Sequence, residues 1–207
     1  MILIPSYPLG VGFIYVLSCY PILFLGANKG QQSNDLLFST LLPVRKKDIV
    51  LARIITVIII QVAYMIIMSA LYPVAIMIQN GIQNTDPEFT GNPGLGLNGY
   101  ISLLGIALIG FALADLIFFP IYYKHGKSIV MSTLFTILGF VVYIGVLTIA
   151  LPLVSERVAG FAWYNQILSG SGIWVQLIIL LVAIIVSFVL HILVYRISSK
   201  ELEKVDF

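Results

Sequence analysis

One carboxylate stands inside an otherwise uncharged apolar run: Asp115, within GFALADLIFF. A charge at the centre of a lipid-spanning helix costs about 2.5–3.5 kcal/mol on insertion scales. A carboxylate kept there lines a polar path, pairs with a base on a neighbouring helix, or stays partly hydrated near the helix end. Asp115 lies about 12 Å from the inner end of its segment, so all three roles stay open. Gln61 and Gln176 also sit in apolar runs and offer interhelical hydrogen bonds. The histidines are His125 and His191. Neither belongs to an H-E-x-x-H metal pair, and His191, near the end of the last apolar run, reads as an interface residue. Gly126, Lys127 and Ser128 echo the end of a phosphate loop, but the motif needs a glycine where Ile121 stands. No G-x-S-x-G elbow or Ser/His/Asp set is visible. Cys19 is the single cysteine; it reads as a small apolar packing residue and excludes a disulfide within the chain. No catalytic, cofactor or metal-ligating set is therefore assigned, and the chain by itself is expected not to be an enzyme.

The elements that must position these residues are apolar helices. Of 207 residues, 60% are hydrophobic and only 10% charged, against about 25% charge in soluble domains. The mean hydropathy is +1.06. A spanning helix needs about 20 mostly apolar residues, and five stretches qualify: 9–27, 49–78, 100–123, 128–151 and 173–195. Backbone groups in lipid must be bonded internally, and no barrel-like alternation is present, so the spans are helical. The expected architecture is an all-α integral membrane protein, with 1–207 as one transmembrane domain. Pro73 is expected to kink or end the second span, which is longer than one crossing.

Of eleven Lys and Arg, ten fall on one side of a five-span arrangement. Lys29, Arg45, Lys46, Lys47 and Arg53 surround the first connection, Lys124 and Lys127 lie in the third, and Arg196, Lys200 and Lys204 follow the last span; Arg157 is the exception. The positive-inside rule makes that side cytoplasmic, with the N-terminus outside and the C-terminus inside. The opposite loops hold Asp86, Glu88 and Glu156, and Trp163, Tyr164 and Trp174 suit an outer aromatic belt. The stretch 155–172 reads as a short outer interfacial helix. The opening MILIPSYPLG lacks the basic region and cleavage site of a signal peptide. It reads as the end of an earlier hairpin, so a further span upstream is expected.

The first connection has its own pattern. Ser33, Asn34 and Asp35 supply N-cap chemistry. Leu37 with Leu41 and Phe38 with Leu42 are i,i+4 apolar pairs, and Pro43 stops the helix. Arg45, Lys46 and Lys47 follow at the membrane surface, and Asp48 can cap the next span. The pattern gives a short amphipathic helix over 34–42, fitting either a lipid interface or a groove on a soluble partner.

The segment NDLLFSTLLPVRKKDIVLAR (34–53) resembles the coupling segment of permease subunits of type-2 ATP-binding-cassette exporters. FFPIYYKHGKS (118–128) resembles that family's turn between two spans, and VYRISSKELEKVDF (194–207) its C-terminal ending. The resemblance covers nearly the whole chain, except that such permeases usually have six spans and begin with a basic helix and a span absent here. It implies a multi-pass protein of the bacterial cytoplasmic membrane, paired with itself or a sister permease. It also implies an ATPase subunit that holds ATP and Mg and docks on the 34–42 helix, with Asp35, Leu37, Phe38, Leu41, Leu42, Pro43, Arg45, Lys46 and Lys47 as the coupling residues. Asp115 and Gln61 would be pathway or interhelix polar residues. Two alternatives fit the spans: a stand-alone secondary transporter or channel, which calls for more intramembrane charges or an internal repeat, and a non-transporting scaffold or immunity protein.

Overall fold

The computed structural model describes residues 45–85, 97–125, 129–147 and 172–204. These are almost entirely helical, with no strand among the described residues. The helices are α1 (Lys46–Thr85), α2 (Leu97–His125), α3 (Ile129–Gly145) and α4 (Ile173–Glu203). Three are long and apolar enough to cross a bilayer, over Lys46–Val74, Ile101–Lys124 and Ile173–Glu203, and α3 is a shorter apolar helix. The expected first span (9–27) and the 34–42 helix lie outside the described residues, as does the 155–171 stretch.

Two helices extend beyond the expected spans. Pro73 does not end α1, which continues through it to Thr85. Forty helical residues reach about 60 Å, twice a hydrocarbon core. A membrane helix tolerates proline because nearby hydroxyls and neighbouring helices re-satisfy the freed backbone. The carbonyl that Pro73 leaves without its helical donor is that of Ser69, whose own hydroxyl donates one turn back to the Met65 carbonyl at 2.8 Å. At the other end of the chain, α4 runs past Tyr195 to Glu203 without a break.

Charge and capping also differ from expectation at the start of α1. The helix begins at Lys46, and the Arg45 carbonyl accepts from the Asp48 amide at 2.9 Å. Asp48 therefore lies in the first turn rather than at the cap, where its charge suits the positive end of the helix dipole.

α2 is central. It packs most extensively on α4 and next on α3, while α4 also contacts α1. Contacts between α1 and α2 run antiparallel: Arg53 meets Tyr122, Gln61 meets Asp115, and Tyr64 meets Phe111 edge-on at 5.7 Å between centroids. α4 runs parallel to α2, since Asp115 meets His191 and Gly105 faces Ala183. A Cβ added to Gly105 would come 3.2 Å from the Ala183 Cβ, so absence of a side chain lets these two backbones approach.

Small and polar residues mark the buried seam of α4. Gln176, Ala183, Ser187, Val194 and Ser198 are buried at alternating spacings of seven and four. Small side chains let helices pack closely where no hydrophobic effect drives them together in lipid. The opposite faces are large and apolar, including Ile178, Leu181, Ile185 and Phe188 on α4, and Leu134, Phe135 and Leu138 on α3. In water such faces would drive aggregation; in a bilayer they match the acyl chains.

Candidate functional site

The uncharged middle of α2 is broken by Asp115, which is 0% exposed. Around it, Phe111, Ala112, Ala114 and Phe118 are all buried. A carboxyl group in such surroundings needs hydrogen-bond partners, and two other helices supply them. The Gln61 amide nitrogen on α1 donates to Asp115 Oδ2 at 2.7 Å. The His191 Nε2 on α4 lies 3.1 Å from the same oxygen. The other ring nitrogen, Nδ1, lies 2.7 Å from the backbone carbonyl of Ser187, one turn earlier on α4. One carboxylate oxygen thus joins three helices.

The periodicity of α2 explains how Asp115 reaches both neighbours. Phe111, Phe118 and Tyr122 share its stripe and are also buried, so this stripe is the one turned into the bundle. On α4, His191 is one turn after Ser187, and both belong to or border the polar seam. Of the three residues, His191 reads from sequence only as an interface residue of the last span, and its contact with Asp115 appears in the structure. A signal was present: Asp115 and His191 each precede a lysine, Lys124 and Lys200, by nine residues. Equal depth on parallel helices brings such residues together.

A second cluster lies where the start of α1 meets the ends of α2 and α4. Arg53 Nη1 donates to the Tyr122 hydroxyl at 2.9 Å. Lys47 lies 3.2 Å from Glu203, both half exposed, a pairing worth little in energy but informative about position. Lys204 donates to Glu201 at 2.6 Å. Below them Phe118 stacks on Tyr122 and Phe119 on Tyr123, with centroids 5.7 and 6.3 Å apart. These aromatics lie in the last turns of the expected 100–123 span, and the helix runs through Pro120 to His125. Four large rings at one helix end bury apolar area that holds α2 in place.

Of the coupling residues expected from sequence, Arg45, Lys46 and Lys47 sit at the start of α1. Asp35, Leu37, Phe38, Leu41, Leu42 and Pro43 lie outside the described residues. Gly110 receives rings from α3: a Cβ there would lie 2.7 Å from Tyr143 Cε1 and 3.1 Å from Phe140 Cε2. No group of three or more metal-ligating side chains occurs among the described residues.

No curated protein and no solved structure matches the chain. A family model described as ABC-2 family transporter protein matches residues 1–199. Set beside apolar helices joined by a buried polar cluster, that match over nearly the whole length identifies this chain as a multi-pass membrane permease belonging to the ABC-2 transporter family.

Proposed function

We propose that this permease is the membrane half of an ATP-driven exporter, coupled through the 34–42 helix to a separate ATPase subunit that holds ATP and Mg. Two permeases, identical or sister chains, enclose the path, and the end of the bundle carrying Arg53, Tyr122 and Glu203 faces the cytoplasm. Family membership carries the transport role. The arrangement at the start of α1 supports the coupling. The coupling segment leads directly into Arg45, Lys46 and Lys47, and within three turns α1 lies against α4 at Lys47–Glu203 and is hydrogen-bonded to α2 through Arg53–Tyr122. A push on the segment before α1 therefore reaches three helices and can move them as a body.

The test is co-purification of the ATPase encoded with the permease, using wild-type and Phe38→Glu protein matched for membrane expression. A carboxylate forced into a protein groove without a partner costs several kcal/mol, enough to release the subunit. Loss of ATPase with normal membrane insertion is expected. Equal recovery with both proteins would refute the coupling role.

A further inference from the structure

The His191 ring is held between two oxygens, the Ser187 carbonyl and Asp115 Oδ2. A backbone carbonyl can only accept, so Nδ1, 2.7 Å from the Ser187 oxygen, must carry hydrogen. At the other edge, Nε2 lies 3.1 Å from Asp115 Oδ2, which also accepts from the Gln61 amide at 2.7 Å. An ionised carboxylate is acceptor-only. With a carboxylate at Asp115, both ring nitrogens must be donors, and that describes an imidazolium.

We propose that Asp115 and His191 form a buried proton-binding site that latches α2 to α4, with the proton as its ligand. The bound proton makes His191 cationic and satisfies the carboxylate with a charge-assisted hydrogen bond. Release of the Nε2 proton to water leaves a nitrogen lone pair facing a carboxylate oxygen in a site where Asp115 is fully buried. That contact is repulsive, and the two helices are the elements that must separate to relieve it.

On α1 the facing group is neutral Gln61, and no charged residue follows Arg53 before the end of that helix. Arg53, about two turns nearer the basic end, is engaged with Tyr122. On α2 the next charged residue is Lys124, and on α4 it is Arg196. α3 has no charged residue, and its Tyr143 hydroxyl donates to the Ile106 carbonyl at 2.7 Å. The Ser187 hydroxyl, 3.4 Å from Nδ1, is too distant to replace the carbonyl as its main partner.

The experiment is nitrogen NMR of the full chain in lipid, with isotope-labelled histidine, because nitrogen shifts separate the imidazolium from both neutral tautomers. The chain has two histidines, so signals absent from His191→Gln belong to His191. At neutral pH the wild type is expected to show hydrogen on both ring nitrogens of His191, and Asp115→Asn to show a neutral ring. Heating the same samples reads the latch. The wild-type melting temperature should fall from neutral to alkaline pH by more than that of His191→Gln, whose amide can still donate to Asp115 but cannot titrate. A neutral His191 ring in the wild type at neutral pH would overturn the proposal, even if a variant failed to fold. A ring titration unmoved by Asp115→Asn, or melting curves with the same pH dependence in wild type and His191→Gln, would overturn it as well.

Discussion

The guanidinium of Arg53 on α1 donates to the hydroxyl of Tyr122 on α2 across 2.9 Å, although 69 residues separate them in the chain. Tyr122 is buried beside Phe118 and Tyr123, while Arg53 sits two turns into a helix whose opening residues are basic. The bond therefore joins the aromatic end of the central helix to the element that follows the coupling segment. Tyr122→Phe keeps the ring stack and removes only the acceptor. A hydrogen bond to a charged group contributes about 1.5–3 kcal/mol, and the loss should appear as a lower melting temperature in lipid nanodiscs. An unchanged melting temperature would mean that water replaces the hydroxyl without cost.

Gln61 and Asp115 should be energetically coupled. In membrane proteins such interhelical bonds average about 0.6 kcal/mol and reach about 1.7. A double-mutant cycle with Gln61→Leu and Asp115→Leu, followed by unfolding in bicelles, measures the coupling directly. The double variant is expected to be less destabilised than the sum of the singles, because Gln61→Leu leaves a buried carboxylate short of a donor while Asp115→Leu leaves a buried amide short of an acceptor. Strict additivity would show that the pair does not act as a unit.

Two glycines should behave oppositely. At Gly110 an added Cβ would meet Tyr143 at 2.7 Å, and that ring is anchored through its hydroxyl to the Ile106 carbonyl. Gly110→Ala should destabilise the protein by about 1–3 kcal/mol through overpacking, and Tyr143→Ala in the same chain should relieve part of it. At Gly145 nothing lies within 4 Å of the added atom, so Gly145→Ala should be neutral or stabilise by up to about 1 kcal/mol. Thermal melts of the three proteins decide it; equal losses at both glycines would be the contrary result.

The orientation is tested by labelling from outside intact cells. In a Cys19→Ser background, Asn92→Cys should react with an impermeant thiol reagent and Lys46→Cys should not. Labelling at position 46 would reverse the topology and place the Lys47–Glu203 end of the bundle outside.

The sequence by itself determined the class of the protein and much of its plan. An uncharged stretch of about 20 residues has few stable options in water and one in lipid, so the positions of α1, α2 and α4 were legible from composition alone. Asp115 and Gln61 stood out for the same reason, since polar groups in lipid are costly wherever they point. Other features needed the packed helices. Pro73 and Pro120 carry a local signal for breaking a helix, yet α1 and α2 continue through both, because neighbouring groups decide whether a missing amide can be tolerated. His191 reads in isolation as one polar residue near a helix end. Only the parallel packing of α4 on α2, with Gly105 against Ala183 and a seam of small residues, sets it level with Asp115. Hydropathy records how deep a residue lies along its own helix; which side chain it meets there depends on helix rotation and register, and those are fixed by contacts between segments far apart in the chain.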